Sequence, residues 1–125
     1  MKDRQIILWQ RIEGLAIFVT AVSWYVKNYH FQSIGLVIFL FVAPDIAILG
    51  YMISNKIGAF LYNLTHSMVI PLLLLCIWLV SPSRIIIFAV LAGLTHVGMD
   101  RALGFGLKYN DGFKHTHLGF IGNKK

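Results

Sequence analysis

Four apolar runs, each about 20 residues long, leave this chain very few folds to choose from. They cover residues 6–26, 34–53, 58–80 and 84–106. A helix of about 20 residues rises ~30 Å, the thickness of a bilayer's hydrocarbon core. The links between the runs, "KNYHFQS", "SNKI" and "SPS", leave room for little but a reversal of direction. Consecutive helices are therefore expected to be antiparallel neighbours. Hydrophobic residues make up 58% of the 125 and charged ones only 13%. A soluble domain of this size would have to show much of that apolar surface to water. The predicted fold is all-α: a four-helix transmembrane bundle of antiparallel up-down topology. It forms one integral membrane domain over 1–125, ending in a cytoplasmic tail at 107–125.

The formal charge of +6 is scattered between the apolar runs. That pattern points to membrane topology and anionic lipid rather than to nucleic acid. With an even number of spans, both termini share a side with the loop that holds Lys56. That side carries Lys2, Arg4, Arg11, Lys56, Arg101, Lys108, Lys114, Lys124 and Lys125, and the other carries Lys27 and Arg84. The positive-inside rule then puts both termini in the cytoplasm, with the chain in a bacterial cytoplasmic (inner) membrane. The start, "MKDRQIILWQRIEGLAIF", has no small-residue cleavage site and is interrupted at Glu13, so it does not read as a cleavable signal. Cys76, the one cysteine, lies in "LLLLCIWLV" and reads as packing.

Helix register gathers the polar residues at one depth. Asp45, His66 and His96 each lie about eight to ten residues from the cytoplasmic end of their helix, hence roughly 12–15 Å inside the same face. Asn63 and Asp100 lie about one turn closer to the cytoplasm, and Glu13 enters from the inner end of the first helix. A lone histidine in an apolar helix is usually a hydrogen-bonded packing residue. Asp100 with Arg101 can be an interfacial pair, and Glu13 beside Arg11 a solvated helix start. Asp45 resists that treatment, because a carboxylate near mid-membrane costs about 2.5–3.5 kcal/mol and normally faces a partner inside the bundle. Pro44 loosens the helix just ahead of it. His96 and Asp100 are four residues apart, so they share a helical face and can offer a nitrogen and an oxygen to one metal. Imidazole with carboxylate suits zinc first, then iron or manganese. The polar layer expected from the residues is Glu13, Asp45, Asn63, His66, His96 and Asp100, with a metal as its expected occupant.

The tail adds Lys108, Lys114, His115 and His117 at the mouth of this layer. It can fold back at Gly104 or Gly106 as a lid, with His117 as a further ligand, or remain a solvated end. Arg101 and Lys108 form a basic rim that suits an anionic head group, and Asn63 is a further candidate for holding substrate.

"EG" in the first run, "APD" in the second, "YNLTHS" in the third, "THVGMDRALGFGLKY" in the fourth and "THLG" in the tail resemble a bacterial family of short four-span membrane proteins, the domain of unknown function numbered 4260. The resemblance covers nearly the whole chain and implies the fold without implying an activity. A more distant likeness links Pro44-Asp45, Thr65-His66-Ser67 and His96 with Asp100 to inner-membrane metal-dependent hydrolases. That likeness implies that Asp45, His66, His96 and Asp100 bind metal. The hydrolases often have a second acid two residues after the first, where this chain has Ala47, and a histidine five before the Thr-His-Ser one, where it has Leu61. Glu13 or His117 would have to fill those gaps in a multi-metal site.

The function expected is a membrane-embedded, metal-dependent hydrolase acting on a lipid-like, amphiphilic and anionic substrate from the cytoplasmic leaflet, with Glu13 or Asp45 as general base. The bilayer is the expected partner, and a homo-oligomer stays open. Two rival readings use the same residues. In one, His66 and His96 ligate a haem or belong to a di-iron redox centre. In the other, the polar layer is a proton or metal-ion pathway. No Gly-x-Ser-x-Gly, P-loop or Cys-x-x-Cys motif supports serine hydrolysis, nucleotide hydrolysis or dithiol redox.

Overall fold

The apolar runs become four helical spans in a computed structural model, which describes residues 4–122. Of the residues that set the charge asymmetry, Lys2, Lys124 and Lys125 lie outside the described residues. The first span is one unbroken helix, α1 (Arg4–Tyr29). It begins before the apolar run because arginine and glutamine are good helix formers and extend it at little cost.

The second and third spans are not regular. The second starts as α2 (Ile34–Val42) and continues as a 3-10 helix (Ala43–Met52). Pro44 causes the change: it has no N–H to donate, and its ring collides with the carbonyl four residues back in an α-helix. The third span is α3 (Asn55–His66) followed by α4 (Val69–Val80), with Ser67 extended between them. Pro71 explains this break. It sits in the first turn of α4, where its missing N–H is harmless, whereas a continuous helix would drive its ring into the carbonyl of residue 67. Ser54 caps the start of α3, accepting a hydrogen bond from the Ile57 N–H at 3.1 Å, which is why the span begins at residue 55.

The fourth span, α5 (Arg84–Leu103), is continuous and central. Half of its apolar window is buried, against 6–11% in the other three spans. It packs against α1, α2 and α4, while α3 lies along the 3-10 helix. Gly14 on α1 meets Gly98 on α5 with no side chain between them. A Cβ on Gly98 would stand 2.7 Å from the Phe18 nitrogen and 2.8 Å from the Gly14 carbonyl oxygen. Small residues at such a contact let two membrane helices approach closely. A core of Ala21, Tyr25, Ile87, Phe88, Val90 and Leu91 lies further along α1 and α5. Elsewhere the perimeter is apolar and exposed, including Trp9, Phe39, Ile46, Phe60 and Val80. Water would not tolerate that surface and hydrocarbon would, so the chain is a multi-pass membrane protein.

The C-terminal segment adds a short hairpin to the helical chain. α5 stops at Gly104, whose φ of +94° is left-handed, with its N–H and that of Phe105 donating back to the Arg101 and Asp100 carbonyls. The chain then folds back. Strands β1 (His115–Thr116) and β2 (Gly119–Phe120) pair antiparallel, and Lys108 bridges to Thr116. Thr116 and Leu118 are buried, so this segment is packed structure and not a solvated tail.

Candidate functional site

Three elements bring four of the expected ligands together. Asp45 comes from the 3-10 helix, His66 from the last position of α3, and His96 and Asp100 from one face of α5. His66 Nε2 lies 3.2 Å from Asp45 Oδ1 and 3.7 Å from Asp100 Oδ2. His96 Nε2 lies 3.5 Å from each of the same two oxygens. One donor atom from each of Asp45, His66 and His96 fits within 4.8 Å of the others. Both histidines and Asp100 are shielded, whereas the Asp45 side chain is 47% exposed and marks the open side. Tyr62 stacks flat on His66, ring centres 3.7 Å apart, and Phe41 leans on His96 at 5.0 Å.

The hydrogen bonds fix the direction of the lone pairs. His66 Nδ1 is 3.0 Å from the Tyr62 carbonyl, which can only accept, so Nδ1 carries the proton. Nε2 then points at two carboxylate oxygens and lies within hydrogen-bond distance of Asp45 Oδ1 at 3.2 Å. His96 Nε2 is buried and completes no hydrogen bond among the described residues. Two imidazoles and two carboxylates gathered this closely need shared protons or a cation between them. Two imidazole nitrogens and two carboxylate oxygens, with one imidazole held by a backbone carbonyl through its other nitrogen, form a donor set that fits a divalent transition metal. Such a set does not fit haem. The His66 and His96 ring centres are 4.8 Å apart, leaving no space for a macrocycle between them.

The other expected site residues lie elsewhere. Asn63, expected to hold substrate, gives both ends of its amide to the Lys108 backbone: its Nδ2 donates to the carbonyl at 2.9 Å and its Oδ1 accepts from the N–H at 2.6 Å. It fastens the C-terminal segment to α3. Lys108 does not belong to an open basic rim. It is buried, with Nζ 4.0 Å from the centre of the Phe113 ring and 4.7 Å from that of Tyr62. Burial pulls its pKa down from 10.5 to about 8, against the opposing pull of the Asp100 carboxylate. Arg101 donates to the His66 carbonyl at 3.3 Å, satisfying an acceptor freed where α3 ends. Glu13 and His117 line a separate cleft of about 190 Å³ with Gln10 and Arg101. His117 Nδ1 accepts the Leu107 N–H at 2.8 Å and so helps close the C-terminal turn.

Sequence reading missed Tyr62 and Phe113. Tyr62 had a signal, being four residues before His66 on the same helical face. Phe113 had none, because only the folded C-terminal segment carries it to Tyr51, Tyr62 and Lys108.

A family model described as Domain of unknown function (DUF4260) matches residues 7–121. The chain belongs to this family. The DUF4260 match takes in all four clustered residues and reaches past β2, so the folded C-terminal segment is part of the family's domain and not an appendage to it. No curated protein and no solved structure matches the chain.

Proposed function

We propose that this membrane protein is a metal-dependent hydrolase acting on a lipid-like amphiphile, with zinc as the first choice of metal and iron or manganese next. One observation carries the reading: the Nε2 atoms of His66 and His96 converge on the same two carboxylate oxygens at 3.2–3.7 Å, with His66 Nδ1 turned away to the Tyr62 carbonyl. His66, His96 and Asp100, the shielded donors, would hold the ion. Bound there, a divalent metal would supply a water acidic enough to attack near neutral pH and would polarise the bond under attack. The Tyr62 carbonyl keeps the His66 lone pair aimed inward, and the Tyr62 hydroxyl reaches Asp100 Oδ2 at 3.4 Å. Asp45, on the open side, accepts the proton released during attack.

Antiparallel spans and cytoplasmic termini in a bacterial inner membrane belong to the same proposal. Their support is the clustering of Arg4, Arg11, Lys56, Arg101, Lys108 and Lys114 against Lys27 and Arg84. Elemental analysis of detergent-purified protein tests the metal. We expect about one zinc, iron or manganese per chain, lost in His96→Ala and Asp100→Ala but retained in Asp45→Asn and Cys76→Ala, because removing a ligand weakens a site far more than altering a neighbour does. Protein that takes up no stoichiometric transition metal, even with zinc supplied, removes the proposal.

A further inference from the structure

The cleft that holds Glu13 and Arg101 lies on another side of α5 from the His–Asp cluster. Val97 and Arg101 face it, whereas His96 and Asp100 face α3 and the 3-10 helix. It adjoins a second, larger space of about 520 Å³ between α1, α4 and α5, and Ile17 and Met68 line both. That larger space is apolar, walled by Ala16, Trp24, Leu75, Trp78 and Leu91. Its size falls in the roughly 300–1,000 Å³ range of small-molecule sites. The two spaces adjoin across Ile17 and Met68, a long apolar one along the spans and a small polar one beside it, and together they match the shape of an amphiphile.

The polar end has a specific charge pattern. It presents one carboxylate, Glu13, and one guanidinium, Arg101, with the Gln10 amide and the His117 ring alongside, His117 Nδ1 being taken up by the Leu107 N–H. Among the described residues neither Glu13 nor Arg101 takes part in an ion pair, with each other or with anything else. Opposite charges that share a small cleft without closing on each other leave room for a ligand with the complementary pair. A purely anionic head group would satisfy Arg101 and be repelled by Glu13. A zwitterionic one satisfies both, its phosphate on Arg101 and its ammonium on Glu13.

We propose that this groove binds a phospholipid with a phosphoethanolamine head group, one acyl chain lying between Trp24 and Trp78 and the head between Glu13 and Arg101. The proposal concerns lipid binding and rests on a different face of α5 from the metal reading. Lipid affinity and metal content are measured separately, so either can fail while the other stands.

Brominated acyl chains quench tryptophan on contact, and the groove supplies two tryptophans. In a Trp9→Phe background only Trp24 and Trp78 report, and both line the groove. Brominated phosphatidylethanolamine, phosphatidylcholine and phosphatidylglycerol are titrated separately into the full chain in non-quenching detergent. We expect quenching by phosphatidylethanolamine to saturate near one lipid per chain. Its half-saturation should lie about tenfold below that of the other two, the worth of one charge-assisted hydrogen bond. Glu13→Gln, a substitution at an exposed position, should erase the preference for ethanolamine. Ala16→Phe, also exposed and projecting into the groove, should weaken all three lipids together. Equal, non-saturating quenching by the three lipids means an annular shell only and overturns the proposal. A preference for phosphatidylglycerol overturns the zwitterionic head group, as does a Glu13→Gln variant that keeps the ethanolamine preference.

Discussion

Replacing Lys108 with methionine should make the protein more stable. The side chain is 5% exposed, and its ammonium has no hydrogen-bond partner among the described residues. Burial lowers its pKa from 10.5 to about 8. At ~1.4 kcal/mol per tenfold change, that depression corresponds to a penalty of roughly 3 kcal/mol for keeping the charge in the folded protein. The Phe113 and Tyr62 rings repay part of it, since one ammonium shared between two rings gains about 0.5–1 kcal/mol from each. Methionine preserves the length and apolar contacts of the side chain without the charge, so Lys108→Met should gain about 1–2 kcal/mol at pH 7. The sign of the pH dependence follows from the same shift. Between pH 8 and 10.5 the unfolded chain holds a proton on Lys108 that the folded chain has released. Stability of the parent should therefore rise across that window, with the penalty fully present below it, and the Lys108 contribution to the slope should vanish in the variant. Thermal unfolding in detergent, followed by near-ultraviolet circular dichroism from pH 7 to 10.5, measures both. A variant that melts lower than the parent, with an unchanged pH profile, would falsify this account and mean that the ammonium is well paired.

Two further substitutions probe how the site is held. Gly98→Val should separate α1 from α5, because its Cβ meets backbone atoms at 2.7 and 2.8 Å that cannot swing aside. We expect a loss of about 1–3 kcal/mol or more in the same melting assay, and an unchanged melt would mean the helices are not in contact there. Asn63→Ala strips the Lys108 N–H and carbonyl of both partners, at about 1–3 kcal/mol for the buried groups left unpaired. Limited proteolysis should then cut within residues 105–122 faster than in the parent, and equal rates would show that the C-terminal segment is held by something else.

The sequence was most informative where a single physical rule dominated. Spans were legible because hydrocarbon demands about 20 apolar residues per crossing. The His–Asp cluster was legible because a buried carboxylate must have a partner, and four residues on three spans matched in depth. Legibility ended where one side chain can serve two masters. Asn63, Arg101 and Lys108 looked like substrate-binding residues because they are polar near a polar layer. In the structure Asn63 is committed to backbone groups and Lys108 to two aromatic rings, while Arg101 gives one donor to the His66 carbonyl and faces the cleft beside the layer, not the layer itself. Glu13 matched the layer in depth, but depth along a helix says nothing of the direction around it, and Glu13 faces the neighbouring cleft. The breaks in the second and third spans are half visible in the sequence: Pro44 marks a loosening ahead of Asp45, whereas the break at Ser67 lies four residues before the Pro71 that sets it and has no local signal of its own.

Those breaks give the strongest reason to assign chemistry to the cluster. The second span leaves α-helical geometry two residues before Asp45, the third breaks directly after His66, and α5 ends one turn beyond Asp100. In hydrocarbon every interrupted turn frees backbone groups that cost several kcal/mol each if left unpaired. The neighbouring polar side chains repair them. The Thr65 hydroxyl lies 3.1–3.3 Å from the carbonyls of Pro44, Leu61 and Tyr62, Arg101 reaches the carbonyl of His66, and the Phe105 N–H returns to that of Asp100. These residues are explained by the fold alone. His66 is only half explained, because its Nδ1 serves a carbonyl while its Nε2 serves none. His96 Nε2 and the carboxylates of Asp45 and Asp100 mend no broken turn; they face one another across 3.5 Å. A bundle selected for packing alone would fill these positions with leucine or methionine, avoiding both desolvation and repulsion. Polar atoms left over after the backbone has been satisfied, and aimed at a common point, are the ones to which a bound cation would give a purpose.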